Sequence, residues 1–90
     1  MKKAIYKVPN GKLLKIFLED AGEKIISIKI TGDFFMHPEE NIEKLEKALA
    51  GTELNEKNLT DKINEFLNSS PTTFFGLDVT SLVTTILNAA

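Results

Sequence analysis

Residues 30–40 read ITGDFFMHPEE, and this stretch connects a predicted sheet to a predicted set of helices. An isoleucine-rich strand ends at Gly32, which can adopt a positive φ angle or let another backbone approach closely. Asp33 can cap a turn or contact a ligand. Successive side chains of an extended segment point in opposite directions, so Phe34 and Phe35 cannot both enter one thin core. We therefore expect one of these two phenylalanines to face a partner.

Three strands are predicted before this stretch, over residues 4–8, 12–19 and 24–31. The first two are joined by Pro9-Asn10-Gly11, a hairpin turn in which proline presets φ and the Asn-Gly pair supplies the tight positions. A second turn joins the next two strands. The three strands are therefore expected to pair as an antiparallel meander.

The alternation of apolar and polar residues assigns the two faces of this sheet. The expected inward side chains are Leu14, Ile16 and Leu18 on the second strand and Ile26, Ile28 and Ile30 on the third. Two large apolar side chains, Leu13 and Phe17, fall on the opposite face. Packing of a helix at the sheet edge would explain them, and so would contact with a partner.

Three helices follow, over residues 38–50, over residues 56–68 and after Asp78. Proline at the start and glycine past the end bound the first helix, and Asn55 and Asp78 are the predicted N-caps of the other two. Apolar residues recur at helical spacing in all three. The sequence thus predicts one α+β domain over residues 1–90, a three-stranded antiparallel sheet with about three helices packed on one face.

The composition leaves few groups for catalysis or metal binding. The chain has no cysteine and a single histidine, His37, so it lacks a thiolate nucleophile and the ligands of a dedicated transition-metal site. Residues 1–29 hold seven lysines against three acids, whereas residues 30–90 hold four lysines against ten acids. Because no arginine is present, bidentate recognition of phosphate or guanine is disfavoured. We expect no catalytic residue, no metal site and no nucleic-acid partner.

Two further features concern location. No apolar run has the length of a membrane-spanning segment, and none follows Lys2 and Lys3 as it would in a signal peptide. The lack of cysteine is compatible with a reducing compartment. We therefore expect no membrane partner and a cytoplasmic location.

The sequence resembles the accessory, C-terminal domain of lipoate-protein ligases. The similar segments are KVPNGKL at residues 7–13, IKITGDFF at residues 28–35 and the helix start HPEE at residues 37–40, and the likeness ends near residue 51. The first half of the chain carries the resemblance, whereas the second half fits the family in length and order. Because the chain starts at Met1 and ends at Ala90, it is expected to be the separate small-subunit form rather than a fused domain.

The resemblance implies a non-catalytic accessory subunit of a two-subunit lipoate-protein ligase. In that family this component is needed for the ATP-dependent activation of lipoate to lipoyl-adenylate, and the large subunit then transfers the lipoyl group to a carrier-domain lysine. The chain is expected to form a heterodimer with the catalytic subunit and to meet the lipoyl carrier domain only indirectly. It would bind no cofactor alone, while ATP, Mg²⁺ and lipoate bind in the assembled ligase.

Seven residues are candidates for contacting the catalytic subunit or ordering its substrate loops: Gly32, Asp33, Phe34, Phe35, Leu13, Phe17 and Lys12. A turn glycine, a capping aspartate and two core phenylalanines would also account for the motif without a partner. The Phe74-Phe75-Gly76 segment has the same ambiguity, as a lid over the core or as part of a contact surface. The alternative function is a free-standing protein-binding or scaffold domain of similar fold with no role in lipoylation.

Overall fold

The structure, a computed structural model, describes residues 1–9 and 11–90. Asn10, the middle residue of the predicted hairpin turn, lies outside the described residues. The elements in the described ranges are β1 (Lys2–Lys7), β2 (Leu13–Asp20), β3 (Ile25–Gly32), β4 (Phe35–His37), α1 (Asn41–Leu49), α2 (Glu56–Ser69), β5 (Thr73–Phe75) and α3 (Val79–Ala89).

The predicted antiparallel meander is confirmed. The first three strands pair in the order β1-β2-β3, and Ile16 of β2 lies between Ala4 and Ile30. Leu14, Ile16 and Leu18 are fully buried, as the alternation predicts. Helix α1 packs on β3, helix α3 packs on β1 and β2, and α2 packs against both helices. The helices therefore cover one face of the sheet, and the α+β fold is as predicted.

The face predicted for Ile26 is wrong. This side chain is 52% exposed, whereas Ile25, Ile28 and Ile30 are buried. The register of β2 against β3 shifts between Glu19 and Asp20, because Glu19 pairs with Ser27 and Asp20 pairs with Ile25. One extra residue on β3 breaks the alternation, as a β-bulge does. Ile26 is that residue, and the bulge turns it away from the core.

The first helix starts later than predicted, at Asn41 rather than Pro38. The amide of Asn41 donates to the Pro38 carbonyl at 3.1 Å, and that of Ile42 donates to the Glu39 carbonyl at 3.1 Å. Such bonds span three residues and form a tighter turn than an α-helix. Pro38 therefore opens a turn that leads into the helix. On the helix itself, Leu45 and Leu49 are fully buried and form the stripe that faces the core.

The two predicted N-caps are confirmed. The side chain of Asn55 accepts a hydrogen bond from the Asn58 amide at 2.8 Å, and that of Asp78 accepts one from the Ser81 amide at 2.7 Å. Each bond satisfies an amide that has no partner inside the helix. Helix α3 is rich in weakly helix-forming Val and Thr, and its stability comes from a buried stripe that includes Leu82 and Ile86.

A second sheet, which the sequence did not predict, joins two distant segments. Strand β4 pairs antiparallel with β5, so that Phe35 lies opposite Phe75, Met36 opposite Phe74, and His37 opposite Thr73. We call this two-stranded element the ribbon. Three-residue strands are too short to show alternation, and the segment read as a Phe74-Phe75-Gly76 loop is in part strand β5.

Across residues 1–9 and 11–90, no helix combines the length and apolar character needed to cross a bilayer.

Candidate partner interface

The turn at Gly32 and Asp33 is held against the start of β2. Gly32 has φ 147°, and a Cβ atom at this position would collide with the carbonyl oxygen of Leu13. The amide of Asp33 donates to that same oxygen at 3.0 Å. The close approach predicted for Gly32 is therefore present, and it involves this chain's own strand. Glycine is required here because any side chain would force the two strands apart.

The two phenylalanines of the motif point in different directions, as their adjacency predicts. Phe34 is 8% exposed and belongs to the core, whereas Phe35 is 70% exposed. The inward neighbour of Phe35 on the ribbon is Met36, which is 4% exposed. Phe34 and Met36 thus anchor the ends of this segment, and Phe35 is left on the surface between them.

The ribbon presents a pair of exposed aromatic side chains. Phe35 and Phe75 lie directly opposite each other, and Phe75 is 57% exposed. Directly opposed side chains of an antiparallel pair project from the same face with Cβ atoms about 5 Å apart. On the other face, Met36 and its partner Phe74 pack against the core. The ribbon therefore has one face in the core and one face, formed by Phe35, His37, Thr73 and Phe75, in solvent.

Hydrogen bonds bring most of the predicted site residues together at one end of the sheet. The amide of Lys12 donates to the carbonyl of Gly76 at 3.0 Å, which ties the start of β2 to the end of the ribbon. The bond between Asp33 and Leu13 ties the same place to the end of β3. We call this region, which consists of residues 12–13, 32–35 and 75–76, the motif end. Six of the seven candidate residues lie there.

Phe17, the seventh candidate, lies further along β2 on the sheet face opposite the helices. Its partners in register are Lys3 on β1 and Lys29 on β3, and the next row holds Ile5, Lys15 and Thr31. Phe17 is half-buried, Leu13 is 36% exposed and Ile5 is 53% exposed. We call the surface formed by Lys3, Ile5, Lys7, Leu13, Lys15, Phe17 and Lys29 the open sheet face. It is basic with an apolar centre.

An acidic groove lies beside the motif end, between β3, the ribbon and α1. Its volume is about 1250 Å³, and its charged lining consists of Glu39, Glu40, Glu43, Glu46 and Lys29. Glu46 accepts a hydrogen bond from the Ile30 amide at 2.7 Å, which occupies a donor on the outer edge of β3. A carboxylate there also discourages pairing with another strand.

These side chains do not suit an anionic or metal ligand. Four carboxylates against one lysine would repel the phosphates of a nucleotide. Among the described residues, no three His, Asp or Glu side chains come together in a cluster that could hold a metal ion. What the motif end offers instead is exposed aromatic surface with charge around it, which is the chemistry of protein association.

Residues 6–86 match the family described as the bacterial lipoate protein ligase C-terminus. The chain belongs to this family. The match includes the second half of the chain, where the sequence carried no diagnostic motif, and it contains all seven candidate residues.

This lipoate protein ligase C-terminal domain is similar to a known protein in sequence and to a solved structure in fold. The chain is 39% identical over 56 residues to lipoate-protein ligase A subunit 2 of Thermoplasma acidophilum, and the match covers 62% of this chain and 57% of that protein. The match thus spans little more than half the length of that relative.

The second relative is a solved structure from an archaeal lipoylation system, described as a bi-partite lipoate protein ligase and its E2 lipoyl domain from Thermoplasma acidophilum. One of its chains superimposes with a TM-score of 0.81 at 29% identity, covering 96% of this chain and 94% of that chain. The domain therefore shares its fold with a component of that system over nearly its whole length.

In this lipoate protein ligase C-terminal domain, the sequence left Phe75 open between a lid over the core and part of a contact surface, and Ile5 was missed. Phe75 adds a second exposed aromatic side chain beside Phe35, and Ile5 extends the apolar centre of the open sheet face. A signal for Phe75 was present, because Phe74-Phe75-Gly76 repeats the adjacent-phenylalanine pattern of the motif. A signal for Ile5 was also present, since alternation along β1 places it on the same face as Lys3 and Lys7.

Proposed function

We propose that this chain is the non-catalytic accessory subunit of a two-subunit lipoate-protein ligase. It is required for the ATP-dependent activation of lipoate to lipoyl-adenylate, which precedes transfer of the lipoyl group to a carrier-domain lysine. The observation that carries this proposal is the family match over residues 6–86, together with the likeness to a chain of a bi-partite ligase over 94% of that chain's length.

The catalytic chemistry belongs to the partner. ATP, Mg²⁺ and lipoate bind in the assembled ligase, and this chain alone binds none of them. The acidic groove supports this division, because its carboxylates oppose a nucleotide phosphate. The contribution of this chain is to position the partner's groups, and a positioning contact is worth up to about a hundredfold in rate.

The motif at residues 32–35 orders the substrate loops of the catalytic subunit. Gly32 holds the turn against β2, so that the exposed Asp33 carboxylate can accept hydrogen bonds from backbone amides or a lysine of those loops. Phe34 anchors the turn in the core, and Phe35 touches the partner. Lys12 directly precedes Leu13, whose carbonyl accepts from the Asp33 amide, so its backbone lies next to this turn.

The open sheet face supplies a second contact. Leu13 and Phe17 lie on a sheet surface against which no helix of the described chain packs, since the helices cover the other face. Burial of such side chains against the catalytic subunit would stabilise a heterodimer by about 1.5 to 3 kcal/mol for each large side chain that becomes fully buried. The assembly is cytoplasmic, and it meets a lipoyl carrier domain through the catalytic subunit.

The proposal is tested by reconstitution. A purified lipoyl carrier domain is incubated with ATP, Mg²⁺, lipoate and the catalytic subunit, with and without this chain, and lipoylation is measured by the mass of the carrier. Lipoylation is expected only when both subunits are present. A catalytic subunit that is fully active alone would contradict the proposal and favour a free-standing binding or scaffold domain.

A further inference from the structure

The acidic groove and the aromatic pair of the ribbon form one continuous surface. Phe35 and Phe75 line the groove together with the glutamates of α1 and of the turn before it. The ribbon supplies the aromatic side chains, and α1 with the turn before it supplies the carboxylates.

The carboxylates of the groove are largely available to a partner. Glu39 and Glu40 are exposed, and neither forms an ion pair within the described residues. Glu43 pairs with Lys47 at 3.5 Å, but both side chains are about three-quarters exposed, so the pair holds them weakly. Glu46 alone has a fixed role, on the Ile30 amide. Four glutamates against Lys29, the one cationic side chain in the described lining, leave the groove with a net negative charge.

The aromatic pair is apolar surface without cover in this chain. Phe35 is 70% and Phe75 is 57% exposed, and they are adjacent across the ribbon. Single exposed apolar residues are ordinary, whereas adjoining ones beside a groove mark an interaction site. A phenylalanine face also attracts a cation, most often the guanidinium of an arginine.

We propose that this groove binds a cationic segment of the catalytic subunit, in which an apolar side chain packs on Phe35 and Phe75 and flanking Lys or Arg side chains meet Glu39, Glu40 and Glu43. Charge complementarity selects this occupant, because an acidic segment would meet like charges with no compensation. The inference rests on the proposed function, since Phe35 also belongs to the motif that addresses the catalytic subunit.

The groove and the open sheet face select different parts of the partner. The open sheet face carries Lys3, Lys7, Lys15 and Lys29 around Phe17, so it fits an acidic surface. The groove has the opposite charge and lies beyond the edge of β3. Two surfaces of opposite sign allow only one orientation of the two subunits to satisfy both contacts.

The experiment measures binding of the purified catalytic subunit by isothermal titration calorimetry at low and at high ionic strength. The variants are Phe35→Ser, Phe75→Ser and a triple variant with Glu39→Gln, Glu40→Gln and Glu43→Gln. Each aromatic substitution is expected to weaken binding about tenfold or more, as loss of a central interface anchor does. The triple variant is expected to weaken binding about tenfold at low ionic strength and to lose most of the salt dependence of the wild type.

Two matched controls lie away from the groove. Ile26→Ser removes an apolar side chain that is 52% exposed at the bulge, and Glu65→Gln removes an exposed carboxylate on α2. Both are expected to bind as the wild type does. Thermal unfolding of each isolated variant separates lost contact from lost fold. The triple variant removes carboxylates from the start of α1, where the helix dipole favours them, so its melting temperature should fall by only about a few degrees and stay above the temperature of the titration.

The outcomes separate this inference from the proposed function. If the wild-type chain binds the catalytic subunit and supports lipoylation while the groove variants bind with unchanged affinity and salt dependence, the inference is overturned. The partner contact assigned to Phe35 is then also wrong, but the accessory role of the chain stands. If the wild-type chain does not bind the catalytic subunit at all, the proposed function is wrong. The inference that the groove binds a cationic segment of that subunit is then wrong as well.

Discussion

Replacing Gly32 with alanine tests how the motif turn is held. The Gly32 backbone has φ 147°, and the new Cβ would collide with the Leu13 carbonyl oxygen. A non-glycine residue in such a conformation costs about 1 to 3 kcal/mol. Moving the two strands apart would also lose the hydrogen bond from the Asp33 amide to Leu13, which contributes about 0.5 to 1.5 kcal/mol. The free energy of unfolding should therefore fall by about 1.5 to 4.5 kcal/mol.

Gly22 provides the matched control. It also has a positive φ, 91°, but nothing lies within 4 Å of a Cβ built there. Gly22→Ala should therefore cost only the conformational strain, about 1 to 2 kcal/mol. Thermal unfolding followed by circular dichroism reads out both variants, and in a domain of this size 1 kcal/mol shifts the midpoint by about 4 to 8 °C. Gly32→Ala should unfold at a clearly lower temperature than Gly22→Ala. Equal midpoints would show that the approach to Leu13 adds nothing to the strain.

Three further substitutions have distinct expected results. Asp33→Ala removes an exposed side chain, so it should leave the fold and the heterodimer intact. It should slow lipoyl-adenylate formation by up to roughly a hundredfold and spare transfer from preformed lipoyl-adenylate. Equal losses in both half-reactions would indicate misfolding or lost assembly, and unchanged rates in both would make the motif purely structural. Phe17→Glu should weaken binding of the catalytic subunit, measured by calorimetry, by roughly ten- to hundredfold. The melting temperature of the isolated domain should change little. A loss of domain stability as large as the loss of binding free energy would identify Phe17 as a core residue. Asp78→Ala removes the side chain that caps the Ser81 amide, and it should lower the free energy of unfolding, measured by urea titration, by about 1 kcal/mol. The affinity for the catalytic subunit should not change. A fall in the free energy of unfolding below roughly a few tenths of a kcal/mol would show that the cap is dispensable.

The sequence predicts the parts of this fold that local rules control. Asn55 and Asp78 cap helices because a short polar side chain bonds to an amide three residues on, which needs no distant partner. Alternation along β2 identifies its buried face correctly, since that strand is regular through Leu14, Ile16 and Leu18. Gly32 was recognisable because few other residues tolerate its backbone conformation.

Non-local pairing accounts for what the sequence did not predict. The bulge at Ile26 depends on the register of β3 against β2, and the isoleucine pattern of β3 alone carries no sign of it. Strands β4 and β5 are three residues each and lie far apart in the chain, so neither shows a period by itself. For the same reason the sequence predicts that one of Phe34 and Phe35 is on the surface, whereas it does not predict the pair that Phe35 forms with Phe75.

The proposed requirement for this chain in lipoate activation is tested most directly by the first half-reaction alone. Formation of lipoyl-adenylate from lipoate and ATP is measured with the catalytic subunit, with this chain, and with both together, in the absence of a carrier domain. Lipoyl-adenylate should form at an appreciable rate only when both subunits are present. Equal formation by the catalytic subunit alone, or any formation by this chain alone, would contradict its assignment as a required, non-catalytic accessory subunit.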